Sequence, residues 1–180
     1  NKLIWKSIYE DEAFFNAVFS TKNFVMLETN NEEHAIYLQS LLQKAIEFVP
    51  ALPRLPGYSI EAILDFPLEW GLGSSSTLIA NISEWLNINP FRLNRIITNG
   101  SGYDIACAHS KNPILYRLLD NYPYYSEIKL NLPFIESLYF VYTGKKQSSF
   151  SEVKNFLNDS KDYSYLFPKI KQINHQIIHS

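Results

Sequence analysis

Cysteine occurs once in these 180 residues, at Cys107. No intrachain disulfide can form, which fits a reducing compartment. The four histidines, His34, His109, His175 and His179, are scattered. His175 and His179 stand four apart, but no third ligand lies nearby, so a zinc site is not expected. An excess of one charge is also lacking: 16 Lys and Arg oppose 18 Asp and Glu, for a formal net charge of −2. That balance argues against a nucleic-acid partner, which calls for a basic face. Lys145 and Lys146 are the single adjacent basic pair, too few for a polybasic patch. No apolar run approaches the roughly 20 residues needed to span a bilayer, and no signal peptide is visible. The expectation is a cytoplasmic protein with no membrane partner.

An initiator methionine is missing too. The chain opens with Asn1 and runs directly into Leu3-Ile4-Trp5, which reads as a strand already inside a fold. The sequence is therefore expected to be the middle of a longer protein, incomplete at both ends.

What is present is ample material for a core. Apolar residues make up 46% of the chain and aromatics 15%, and a chain of this size buries roughly 70% of its unfolded surface. Residues 3–9 and 13–19 read as strands joined by the acidic turn Glu10-Asp11-Glu12, with a third extended stretch at 23–27. From Glu32 to Phe48, Ala35, Leu38, Leu41, Leu42, Ala45 and Ile46 recur at helical spacing; Asn30 or Asn31 caps this helix and Pro50 ends it. Pro53, Pro56 and Gly57 mark a loop, and 58–66 reads as a strand closed by Pro67. A helix follows with Leu78, Ile79, Ile82, Trp85 and Leu86 as its apolar stripe, then a shorter one from Pro90 to Thr98, then a small-residue stretch at 105–108. Residues 113–119, 126–130 and 137–143 are expected as strands, and 149–157 and 163–178 as helices. Strands and helices mix without a regular βα repeat, which predicts an α+β fold with a boundary near 131–136.

Only six glycines exist, and four of them occupy two short segments. In Gly71-Leu72-Gly73-Ser74-Ser75-Ser76, a strand passes into a helix through a glycine turn. A helix start offers unpaired N–H groups and the positive end of its dipole, which suits polyphosphate. Serine hydroxyls there can donate to phosphate oxygens or ligate Mg²⁺. The same residues also serve as a simple N-cap. No lysine follows, so this is not a Walker loop, and the third glycine of the dinucleotide fingerprint is absent. In the second segment, Gly100-Ser101-Gly102-Tyr103-Asp104, the carboxylate either caps a helix or stands ready to orient and deprotonate an acceptor hydroxyl. Glu69, Trp70 and Trp85 flank the first turn as base-pocket residues or as packing, and Cys107 is expected to be buried and inert.

Taken together, Pro67-Leu68-Glu69-Trp70-Gly71-Leu72-Gly73-Ser74-Ser75-Ser76 and Gly100-Ser101-Gly102-Tyr103-Asp104-Ile105-Ala106 resemble the GHMP kinases, a superfamily that includes galactokinase, homoserine kinase, mevalonate kinase and phosphomevalonate kinase. The first segment is similar to its Pro-x-x-x-Gly-Leu-Gly-Ser-Ser phosphate loop, and the second to the Ser-Gly-x-Asp segment of the mevalonate and phosphomevalonate branch. The match spans about residues 60–155. It implies a two-domain kinase fold: an N-terminal ribosomal-protein-S5-domain-2-like part over 1–135 that binds ATP phosphates, and the beginning of a ferredoxin-like part over 136–180. It implies ATP and Mg²⁺ as cofactors, phosphate contacts from Gly71, Leu72, Gly73, Ser74, Ser75 and Ser76, Ser75 as the metal ligand, and Asp104 as the catalytic carboxylate. Gly102, Tyr103, Lys145 and Lys146 are expected to face a small-molecule acceptor, an alcohol or a phosphate. The segment Arg92–Arg95 carries no acid where mevalonate kinases place a metal-binding glutamate. A catalytically silent nucleotide- or partner-binding module and a diphosphomevalonate decarboxylase are the alternative readings, and pairing into a homodimer is left open.

Overall fold

Alternation builds the first hairpin. In the computed structural model, which describes residues 1–49, 57–144, 149–159 and 161–178, β1 (Lys2–Tyr9) and β2 (Glu12–Ser20) pair antiparallel. Glu10 and Asp11 form the two-residue turn, both with positive φ, the backbone that matches the twist of a tight hairpin. Register sets Leu3 opposite Phe19, Trp5 opposite Ala17 and Ser7 opposite Phe15. All six are buried, so one face of the ribbon is core. The opposite face carries Lys6, whose ion pair with Glu61 is 3.9 Å long and exposed at both ends; such a pair adds little.

The third strand, β3, is Met26–Thr29, later than the expected 23–27. Phe24 is the reason: it is a turn residue with φ 52, held by Ser20 N–H donating to the Val25 carbonyl, and its ring is fully buried. β4 (Tyr58–Leu64) pairs parallel with β1, giving the sheet order β3-β2-β1-β4.

Four helices cover the apolar face. α1 (Glu32–Ile46) starts at Asn31, whose side chain accepts from the His34 N–H, and buries Ala35, Leu38, Leu41, Leu42 and Ala45. α2 (Ser74–Leu86) buries Ile79, Ile82 and Leu86. α3 (Pro90–Thr98) is capped by Asn89, which accepts from Phe91 and Arg92 N–H, and buries Leu93. α4 (Tyr103–Ala108) buries Ile105 and Ala106. Phe19, Phe24 and the α1 leucines meet these helices in one apolar cluster, each side chain stabilising the fold by about 1.5–3 kcal/mol. The chain is thus α+β.

The later part departs from expectation. β5 (Ile114–Leu119) turns at Asp120-Asn121, both at positive φ, straight into β6 (Tyr122–Glu127). The expected strand at 126–130 is therefore shifted and belongs to a hairpin. Residues 138–143 form no strand in the structure, and Phe140 is 97% exposed. α5 (Ser149–Asn158) and α6 (Phe167–Ile178) follow; α6 begins later than expected because a short 3₁₀ turn occupies Ser164–Leu166. Among the described residues every buried one lies between Leu3 and Ala106. No helix among them is long and apolar enough to cross a membrane. Pro50, Pro53 and Pro56, the Lys145–Lys146 pair and His179 lie outside the described residues.

Candidate functional site

The serine turn is made by backbone geometry. After β4 and a 3₁₀ turn at Leu68–Trp70, Gly71 has φ 70 and Gly73, the residue that caps α2, has φ 80. These are left-handed conformations that glycine adopts without strain. A Cβ at either position would meet nothing within 4 Å, so the space beside both glycines is open. The helix begins at Ser74, earlier than its apolar stripe suggests, which places Ser74, Ser75 and Ser76 in its first turn.

A glycine cap supplies no side-chain acceptor to the first turn. The Ser76 and Thr77 N–H groups donate to the Gly73 carbonyl at 3.0 Å each, and the Thr77 hydroxyl donates to the Gly73 and Ser74 carbonyls. Ser74 and Ser75 are thus at a helix start whose N–H groups lack a capping side chain, the arrangement that favours an anion. The alternative of serine as the N-cap does not occur here, because Gly73 holds that position.

Beside this turn is a cavity of about 330 Å³, at the carboxyl ends of the parallel pair β1 and β4. Ser74 and Ser75 form one wall; Glu33, His34 and Tyr37 of α1 form another; Ser7, Ala62 and Leu64 come from the sheet. Trp5, Phe14, Phe15, Leu38, Leu68 and Leu78 make the remainder apolar. Ser7 accepts a hydrogen bond of 3.0 Å from the Trp5 indole, and His34 sits edge-on to Phe15. Burial raises the Tyr37 phenol above its ordinary value, and the nearby Ser75 hydroxyl partly offsets this. That hydroxyl nevertheless falls outside hydrogen-bonding geometry, so the Tyr37 oxygen is enclosed without a partner among the described residues. No lysine or arginine is among the described lining residues.

The second segment leads into α4, which packs against α2. Gly102, with φ 83, is buried, and a Cβ there would come within 2.9 Å of the Phe91 ring. Tyr103 is half-exposed and stands edge-on to Tyr116, whose hydroxyl donates to the Ser101 carbonyl. The nearby Cys107 thiol raises the Tyr103 phenol above its ordinary value, with burial and the nearby Asp104 charge adding to the effect. Asp104 is exposed in the first turn of α4 and is not among the residues lining the cavity. Cys107, expected to be buried, is exposed: α4 is one and a half turns long, and Ile105 and Ala106 take its inward positions.

Neither Trp70 nor Trp85 is among the residues lining the cavity. Trp85 lies eleven residues beyond Ser74, about 16 Å along the helix at 1.5 Å per residue, and packs edge-on against Tyr58 at 5.1 Å. Trp70 is 51% exposed. Arg117 stacks over the Tyr124 ring at 5.7 Å. The aromatic-lined cavity and its α1 residues were missed in the sequence, where Glu33, His34 and Tyr37 read only as the outer positions of a capped helix. No group of three or more metal-ligating side chains occurs among the described residues. Comparisons of the chain with protein-family models, with curated proteins and with solved structures find no match.

Proposed function

We propose that this protein is an ATP-dependent small-molecule kinase of the GHMP type, of the phosphomevalonate or mevalonate kinase branch, moving the ATP γ-phosphoryl group to an alcohol or phosphate acceptor. The observation that carries the reading is the glycine-capped start of α2, with Gly71 and Gly73 both left-handed and a cavity opening beside Ser74 and Ser75. The resemblance of both segments to that superfamily supports it, as does the α+β architecture. The finer two-domain organisation belongs to the same proposal.

Each residue then has a task. Phosphoryl transfer depends mainly on positioning and on neutralising charge. The first-turn N–H groups and the serine hydroxyls hold the phosphate chain, and Leu72 lies between the two glycines that shape the turn. The apolar walls of the cavity accept the nucleoside. With no lysine or arginine among the described lining residues, the helix start and Mg²⁺ would carry the charge neutralisation on this side. That ion takes oxygen ligands; Ser75 would supply one and the phosphates the others, and the ion would supply charge neutralisation. Asp104 accepts the proton of a hydroxyl acceptor, and Gly102 and Tyr103 bound the acceptor's side of the site. Lys145 and Lys146 remain proposed acceptor contacts.

The exposure of Asp104 and its absence from the cavity lining favour a second reading, a nucleotide-binding module without turnover. ATP consumption with a panel of mevalonate-pathway acceptors, for the protein and its Asp104→Asn form, separates the two. Turnover that disappears with the substitution supports the kinase. Nucleotide binding with no turnover in either form supports the module, and a folded protein that binds no nucleotide rejects both.

A further inference from the structure

Two guanidinium groups lie over rings of the β5–β6 hairpin, Arg95 over Tyr122 at 5.6 Å and Arg117 over Tyr124 at 5.7 Å. Neither meets a carboxylate: the two ion pairs among the described residues both use lysines. Tyr116 and Tyr125 oppose each other on the hairpin face turned to α3 and α4, where Tyr125 meets Phe91 and Tyr116 donates to the Ser101 carbonyl. Arg117 opposes Tyr124 and Leu119 opposes Tyr122, so by alternation these four share the other face, and all four are exposed. The hairpin's own carboxylates do not serve the arginines, since Asp120 is in the turn and Glu127 accepts from Asn112 and the Lys111 N–H. Tyrosine and arginine are the residue types that anchor protein interfaces, and a guanidinium stacked on a ring keeps its fork of N–H donors for a carboxylate.

The matching chemistry is on the same chain. Where β1 enters its turn and β4 ends, Ile8, Ile63 and Leu64 floor an open groove of about 450 Å³, rimmed by Glu10, Asp11 and Asp65. Ile63 is 71% exposed, and Asp11 and Asp65 have no ion pair among the described residues. No described lysine or arginine lines the groove. One surface thus offers cations and rings, the other carboxylates over an apolar floor, and no ion pair among the described residues joins them within one molecule.

We propose that the chain self-associates, with the Arg95, Arg117, Tyr122 and Tyr124 face of one copy seated in the acidic groove of a second. The guanidinium groups meet Asp11 and Asp65, and the tyrosine rings cover Ile63 and Leu64. Charge complementarity selects the orientation, and removing water from the rings and the groove floor adds to the attraction. Because the two surfaces are unlike, the contact either occurs twice across a two-fold axis or continues from copy to copy.

Sedimentation velocity over protein concentrations from about 1 µM to 1 mM tests this on the parent and on Arg117→Glu and Asp65→Arg. The parent is expected to associate at low salt, and at least about tenfold more weakly at about 1 M salt, where charges are screened beyond roughly 3 Å. Each reversal alone is expected to weaken association at least about tenfold. An equal mixture of the two variants is expected to restore it, since the intact groove of one meets the intact arginine face of the other and the reversed charges also match. A parent that stays monomeric throughout overturns the proposal, and if it then binds a heptaglutamate peptide, an acidic partner protein takes the place of the second copy. Association that neither salt nor the reversals weaken also overturns it, because another surface is then responsible. Variants that are each weakened but do not restore one another overturn the pairing of these two surfaces.

Discussion

The Thr98 hydroxyl donates to Asn94 Oδ1 at 3.0 Å and to the Asn94 carbonyl at 3.1 Å, so these two residues, one turn apart in α3, form a single polar joint. The same hydroxyl accepts the Gly100 N–H at 2.9 Å, and the Asn94 amide reaches the Gly100 carbonyl at 3.5 Å. Asn94 is buried. The loop that delivers Gly102 and Asp104 is therefore anchored from α3. In the segment where the resemblance to mevalonate kinases would seek an acid, this chain has an amide that acts as a brace.

Asn94→Ala leaves the loop's polar groups short of partners. It is expected to lower stability by about 1–3 kcal/mol, the cost of unpairing a buried polar group. Urea unfolding followed by tryptophan fluorescence measures it; a loss within error would show that the joint contributes nothing.

Gly73→Ala and Gly102→Ala separate conformational strain from crowding. Both residues have left-handed backbones, which cost a side chain about 1–2 kcal/mol. At Gly73 a Cβ meets open space, whereas at Gly102 it meets the Phe91 ring at 2.9 Å. Gly102→Ala is expected to be the more damaging, and Gly73→Asn milder than Gly73→Ala because asparagine tolerates this conformation. Melting temperatures of the three variants rank them.

Ser75→Ala removes an exposed hydroxyl at the cavity mouth. Stability is expected to change by less than about 0.5 kcal/mol, as for surface positions in general, while the Mg²⁺ dependence of ATP binding falls. Titration of ATP with and without the metal checks this, and an unaltered metal dependence removes Ser75 as the ligand.

Glu127 gives a pH prediction with a definite sign. The Asn112 amide and then the Lys111 backbone N–H hold its carboxyl below the ordinary value of 4.5. A group depressed on folding contributes stability that is present above its unfolded value and lost as pH falls through its lower folded value. Glu127→Gln is therefore expected to flatten the acid side of the stability profile below about pH 4.5 and to leave pH 7 and above similar in slope. Exposure keeps the effect small. Melting curves across pH 3–7 measure it.

Cys107 is expected to react stoichiometrically with a maleimide in the folded protein, since its side chain is exposed. Mass spectrometry of native protein reads the adduct; labelling only after denaturation would contradict the exposed position.

Caps and periodicity made much of the N-terminal half legible. Asn31 and Asn89 are sequence-readable helix starts that the structure uses as N-caps, and the α1 stripe from Ala35 to Ala45 is the buried stripe. Phe24 was not legible, because a large aromatic in a run of apolar residues signals a strand while the chain needs it as a turn residue reaching the core. The Asp120-Asn121 turn was missed because the strand after it was placed at 126–130, although both residues tolerate positive φ. Residues 137–143 have strand composition without a strand partner in the structure, and composition alone cannot supply a partner. At the site, glycine spacing located the turn, but the cavity beside it draws on β1, β2, α1, β4 and α2, which only the fold brings together.

The parallel pairing of β1 with β4 has a consequence for how the protein is made. β1, β2 and β3 can zip up locally, yet Leu3 must wait for Tyr58 to be synthesised and brought back across more than fifty residues, a distant contact of the kind that slows folding. The glycine turn follows directly on β4. The start of α2 is thus among the later parts of this half to take shape, and a ribosome-bound chain halted before Leu64 would have its hairpin but not the turn proposed to seat a nucleotide.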